Sequence, residues 1–136
     1  DDYGHHPTEV AVTLKATRGA FAATRVVMVY QPHRFTRTRD HFDEFVSVLS
    51  ENQVLILLDV YAAGESPIDG ADSQALANAI RSRGVVEPIV VSDQGHLAAV
   101  LMSVLEDGDI LLMQGAGDIG RLSTALAECE TLEVLL

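Results

Sequence analysis

Val26-Val27-Met28-Val29-Tyr30 leads through Gln31-Pro32-His33-Arg34-Phe35-Thr36-Arg37-Thr38-Arg39-Asp40-His41 into Phe42, Phe45, Val46 and Leu49. The first run is uninterrupted and apolar, and the last set is spaced i, i+3, i+4, i+7. The stretch therefore reads as a buried strand, a loop and an amphipathic helix near Thr38–Ser50. Its middle breaks the charge rule of the chain, holding three of the eight arginines in a protein of formal net charge −11. Arginines that open a helix oppose its macrodipole, at a cost of roughly 0.3–1 kcal/mol each when exposed. An acidic domain that gathers them there is expected to use them on a carboxylate or phosphate. Without such a ligand they are a solvated basic helix end, worth little to stability.

The alternation extends outward in both directions. Upstream, Pro7 suits a first helical position, and Val10, Leu14, Thr17 and Phe21 continue on one face. Downstream, Val54-Leu55-Ile56-Leu57-Leu58 is a second buried strand, followed by Asp59 and the turn Ala62-Ala63-Gly64-Glu65-Ser66-Pro67. Asp72 suits the N-cap of a helix that carries Leu76, Ala79, Ile80 and Arg83 and is stopped by Gly84. Ile89-Val90-Val91 is a third strand, and Ser92 or Asp93 caps a helix with Leu97, Val100, Leu101, Val104 and Leu105 inward. Ile110-Leu111-Leu112-Met113 is a fourth, after which Gly115-Ala116-Gly117-Asp118-Ile119-Gly120 opens a last helix. Strands without polar alternation, separated by helices, predict a mostly parallel sheet covered on both faces. The expectation is one α/β domain over residues 1–136, Rossmann-like and doubly wound. His33 and Arg34, Asp59 and Tyr61, Asp93, Gly115 and Gly117 all fall where strands end, and open α/β sheets place their sites there.

Composition narrows the function. A pI near 4.6 and a single lysine, Lys15, argue against a nucleic-acid or anionic-membrane surface. No apolar run approaches the roughly 18 residues of a spanning helix, and no signal-peptide pattern opens the chain. Cys129 is the only cysteine, so neither an intrachain disulfide nor a cysteine metal site is available, and a reducing, cytoplasmic setting is expected. It follows Ile119, Leu122 and Leu126 on a helical face and is expected to be a buried thiol. Gly115, Gly117 and Gly120 satisfy G-x-G-x-x-G, but no βαβ unit or spaced acid follows, so tight strand-to-helix packing is the expected reading rather than NAD binding. No G-x-x-x-x-G-K-[S/T] occurs, so the chain has no P-loop grip on ATP phosphates. The histidines show no zinc-site spacing, since His5 and His6 are adjacent.

Asp1-Asp2-Tyr3-Gly4-His5-His6-Pro7-Thr8-Glu9 also looks like the loop after a strand that is itself missing, so the chain is expected to be an excised domain whose first strand is truncated. Together with Gln31 through Arg39, Asp59-Val60-Tyr61-Ala62-Ala63-Gly64-Glu65 and Gln114 through Gly120, this segment resembles the Mur ligases of peptidoglycan synthesis. The likeness covers essentially the whole chain. The branch that recycles tripeptide shares the paired histidines but usually has Phe-Ala in place of Tyr3-Gly4, so the resemblance favours the alanine-adding branch.

That resemblance implies the C-terminal domain of a three-domain enzyme, whose partners are the N-terminal UDP-binding and central ATPase domains. The implied reaction phosphorylates the carboxylate of UDP-N-acetylmuramate with ATP, and the amine of L-alanine then attacks the acyl phosphate. The absent central domain would hold the phosphates and Mg2+. By the same resemblance, Asp2 hydrogen-bonds the ATP ribose and Tyr3 lies beside the nucleotide. His5 lies near the reacting carboxyl, while His33, Arg34 and Arg37 hold the alanine-bearing end. Arg34 and Arg37 are three apart, so a helix start is expected to aim both at one anion. Asp2 also reads as a turn cap, His6 as a structural cap, and Asp59, Tyr61 and Glu65 equally as loop anchors or site residues. A free-standing Rossmann-like metabolite-binding module is the alternative from another class.

Overall fold

A computed structural model describes residues 6–115. They form α1 (Pro7–Ala20), β1 (Val26–Gln31), α2 (Phe35–Asp40), α3 (Phe42–Leu49), β2 (Val54–Leu58), α4 (Ser73–Ser82), β3 (Ile89–Val91), a 3-10 turn (Gln94–His96), α5 (Leu97–Val104) and β4 (Ile110–Gly115). The strands pair in the order β3-β2-β1-β4, and every pairing is parallel. The four expected strands are present, with β1 and β4 running slightly further than their apolar cores.

Residue alternation along β1 divides the core. Met28 and Tyr30 face α1, α3 and α4, where they pack with Val10, Leu14, Phe45, Leu49, Leu76 and Ile80. Val27 and Val29 face α5 and pack with Ile56, Leu58, Leu97 and Leu101. A central strand buried on both faces has no polar position to spare, which is why its sequence lacks alternation. Phe45 is 2% exposed and its ring lies 5.9 Å from that of Tyr30. Truncating it to alanine should cost about 3–5 kcal/mol through lost transfer energy and a cavity.

Caps behave as their chemistry requires. His6 Nδ1 accepts from Thr8 N at the start of α1, with Pro7 beside it in the first turn. Asp72 accepts from Ala75 N at 2.8 Å, and Gly84, at φ 72°, follows the end of α4. Asp93, rather than Ser92, accepts from Gly95 N and caps the 3-10 turn that leads into α5.

Two expectations need correction. The helix expected near Thr38–Ser50 is two helices, α2 and α3, broken at His41 (φ −120°, ψ 27°). Arg37 and Arg39 consequently lie in the last turn of α2, where the dipole favours cations, and Asp43 and Glu44 fill the first turn of α3. Arg37 and Arg39 therefore escape the electrostatic cost expected of them, while Arg34, the N-cap of α2, still stands at the end where the dipole disfavours a cation. Phe21 does not continue the face of α1: the helix ends at Ala20, and Phe21 is the 45%-exposed C-cap. Among the described residues, no helix is long and apolar enough to cross a membrane.

Candidate functional site

The loops that follow β1 and β2 are joined beyond the strands. Pro32 cannot donate, but its carbonyl accepts from Tyr61 N at 2.8 Å, and Arg34 N donates to Tyr61 O at 2.8 Å. His33 and Tyr61 thus form a parallel bridge, and their rings stack with centroids 5.5 Å apart and planes 13° apart. The carboxyl ends of two central strands become one rigid rim.

Arg34 turns the chain from this bridge into α2 at φ 70°, ψ 139°, a region that side chains rarely adopt. Such a residue costs on the order of 1–3 kcal/mol and persists only where its neighbours over-determine it. Here they do. Its N–H is bonded to Tyr61, its carbonyl accepts from Thr38 N and from Thr38 Oγ1 at 2.9 Å, and Phe35 next to it is buried. The side chain itself is exposed and makes no ion pair among the described residues.

Glu65 closes the start of α2 from the β2 loop. Its carboxylate accepts from Thr36 N at 3.0 Å and from Thr36 Oγ1 at 2.5 Å. These bonds, the hydroxyl's first, hold its pKa below the usual carboxylate range, with the charge of Arg34 adding a smaller pull. The turn that delivers Glu65 passes through two consecutive left-handed residues, Ala63 and Gly64. Arg37, one turn into α2, folds back so that Nη1 meets His33 Nδ1 at 2.8 Å and His33 O at 3.3 Å.

Beneath the rim the floor is polar yet buried. Tyr30 and Gln114 face each other across β1 and β4, and Gln31 pairs with Gly115 one step on. Gln114 Nε2 donates to Thr13 Oγ1 of α1 at 3.2 Å. The Tyr30 hydroxyl has no hydrogen-bond partner among the described residues. Burial pushes its pKa well up, the positive charge of Arg37 opposes that shift and Glu9 reinforces it.

The structure therefore brings His33, Arg34 and Arg37 to one rim, but not as two arginines aimed together. Arg34 is open, and Arg37 has committed a donor to His33. His6 is a cap, as its position before Pro7 suggested. Asp59 is exposed at the end of β2, Tyr61 is the stacking partner of His33, and Glu65 anchors the loop to Thr36. Asp2, Tyr3 and His5 lie outside the described residues, as do Gly117, Gly120, the helix they were expected to open, and Cys129. Sequence reasoning missed the polar floor, since a tyrosine ending an apolar run reads as core. It also missed a clamp at the opposite end of the sheet: Arg25 Nε and Nη2 bond both oxygens of Asp109 at 3.0 and 2.5 Å.

Comparison with known proteins gives the family. Residues 1–117 match the family described as Mur ligase, glutamate ligase domain. The sequence is 59% identical over 127 residues to a UDP-N-acetylmuramate–L-alanine ligase of Psychrobacter sp. (strain PRwf-1), covering 93% of this chain and 26% of that protein. The chain thus spans about a quarter of its curated relative. Among solved structures, a domain described as part of a UDP-N-acetylmuramate:L-alanyl-γ-D-glutamyl-meso-diaminopimelate ligase from Haemophilus ducreyi 35000HP superposes with a TM-score of 0.65. It shares 23% identity, covering 100% of this chain and 89% of that one. A murein peptide ligase from Psychrobacter arcticus 273-4 gives a TM-score of 0.71 at 20% identity, covering 95% of this chain and 27% of that one. At those identities the two structures establish the fold alone.

Proposed function

The chain belongs to the Mur ligase family, and from that premise we propose that it is the C-terminal domain of a three-domain ligase that joins L-alanine to UDP-N-acetylmuramate in peptidoglycan synthesis. The observation that carries this reading is the rim: an open, strained Arg34 beside a stacked His33 and a committed Arg37, in a domain otherwise rich in acid. Such a rim suits the oxygens of an anionic ligand, and the 59%-identical relative is named for a reaction that has one.

In this reading ATP transfers its terminal phosphoryl group to the muramate carboxylate. The amine of alanine then attacks the carbonyl carbon, the C–O bond to phosphate breaks, and phosphate leaves. Developing negative charge on oxygen is what preorganised donors stabilise best. Arg34 contributes a planar fork suited to a carboxylate at the alanine-bearing end of the ligand, where His33 also contacts it with Arg37 behind the imidazole. His5 approaches the reacting carboxyl, Asp2 accepts from the ribose hydroxyls of ATP, and Tyr3 lies beside the nucleotide. Glu65 acts on the protein itself, fixing the β2 loop to α2 so that the rim keeps its shape.

Magnesium and the ATP phosphates are assigned to the central domain, where the metal shields phosphate charge. The described residues do not fit that role, since among them no three His, Cys, Asp or Glu gather as a metal-binding group, and the sequence has no P-loop. A cytoplasmic setting follows from the nucleotide-linked substrate.

The test is ligation by the protein that carries this domain. Formation of UDP-N-acetylmuramoyl-alanine that needs both ATP and alanine supports the reading; a preference for tripeptide moves the protein to the recycling branch. The chain alone is expected to release no phosphate from ATP. ATP turnover by the pure fragment, above that of a sample with contaminating ATPases removed, would contradict the division of labour.

A further inference from the structure

We propose that Arg37 is a positioning residue for His33, fixing the imidazole as the tautomer protonated on Nε2. The inference deepens the reading of the rim above and rests on it for the ligand. A guanidinium has only donors, so the 2.8 Å contact between Arg37 Nη1 and His33 Nδ1 has one chemical sense: Nδ1 accepts. The ring proton must then sit on Nε2, because the bond made by one ring nitrogen sets the state of the other. The same Nη1 also meets the His33 carbonyl, which ties the guanidinium to the backbone as well as to the ring. Tyr61 covers one face of that ring, and the bridge between His33 and Tyr61 fixes where its backbone stands. Rotation, tautomer and position are thus all set before a ligand arrives. The rim then presents the Nε2–H edge of His33 beside the guanidinium of Arg34, which forms no ion pair among the described residues, two different groups suited to two different oxygens.

Ring-nitrogen NMR of the histidine-labelled chain, with each variant's melting curve as a check on folding, reads the tautomer without reference to function. The expected result is Nε2 protonation at His33 in the wild type, a mixture of tautomers in Arg37→Ala and partial restoration in Arg37→Lys. Nδ1 protonation in the wild type overturns the proposal, as does an unchanged tautomer in a folded Arg37→Ala. If that variant does not fold, the wild-type and lysine spectra decide. In the ligase that carries the domain, Arg37→Ala should raise KM for L-alanine about tenfold, but less than about threefold in a His33→Ala background, since residues acting through one another are not additive. Equal effects in both backgrounds overturn the positioning role. A tautomer that depends on Arg37, together with unchanged KM in both single variants, supports the positioning and overturns the ligand-holding reading.

Discussion

The two ends of the sheet use the same residue type in opposite ways. At the amino ends of β1 and β4, Arg25 is paired several times over: it binds both oxygens of Asp109, donates to Val104 O at 2.8 Å and lies 3.2 Å from Glu106. At the carboxyl ends, Arg34 is exposed, has no ion pair among the described residues, and stands on a strained backbone. The first arrangement serves the fold, because it ties together the starts of two adjacent strands and leaves no charge unspent. The second gives the fold nothing that a glycine would not give better. In a chain with net charge −11, carboxylates are plentiful, and an arginine that feels the charge of Glu65 yet pairs with no carboxylate among the described residues keeps its donors for a ligand.

Of the two ends of the sheet, the amino end should show the larger effect on stability. Arg25→Ala leaves Asp109, whose side chain is 6% exposed, without its cation, and the melting midpoint should fall by many degrees. Kinetic constants of the ligase, measured well below that midpoint, should be retained. A normal melting curve would mean that the clamp is ornamental and would dissolve the contrast.

Acid should sharpen it. The bond from Arg25, then that from Glu106 N, holds Asp109 below the ordinary carboxylate pKa. A group depressed in the folded state stabilises it above the unfolded pKa, and that contribution is lost as pH falls through the folded value. The gap in stability between wild type and Arg25→Ala should therefore be full at neutral pH and shrink below about pH 4. A gap that does not change with pH would assign the loss to packing rather than to the ion pair.

Smaller effects mark the floor and the surface. Tyr30→Phe removes a buried hydroxyl with no partner among the described residues, so stability should stay within about 1 kcal/mol of wild type, or rise, by denaturant titration. A loss of several kcal/mol would show that the hydroxyl has a partner in the fold. Arg39→Ala removes an exposed pair with Asp40 at 3.0 Å and should change stability by less than about 0.5 kcal/mol.

How much of this was legible in the sequence divides along the same line. The strands, the core faces of α3 and α4, and the caps at Asp72 and Asp93 could be read because they depend on residues within a few positions of each other. The rim was legible by composition, since three arginines and a histidine after an apolar run are conspicuous in an acidic chain. Its geometry was not. Glu65 reaches Thr36 across 29 positions and Arg25 reaches Asp109 across 84, and no local spacing reports such pairs. The break at His41 carries no proline or glycine, so the apolar period runs through it unmarked. That one break reversed the electrostatic meaning of Arg37 and Arg39. Arg34's positive φ was likewise invisible, because a sequence shows a strained non-glycine residue only as the side chain that was kept.

If the carboxyl-end rim is built for a ligand at some expense to the fold, Arg34→Gly in the ligase that carries this domain should reveal it. Glycine relieves the positive φ and deletes the exposed guanidinium in one step. The expected result is a melting midpoint at or above that of wild type, with kcat/KM for L-alanine reduced about ten- to hundredfold, the worth of one charge-assisted bond of roughly 1.5–3 kcal/mol. A variant that melts well below wild type and keeps its kcat/KM would contradict the account, since Arg34 would then serve the fold and not the ligand.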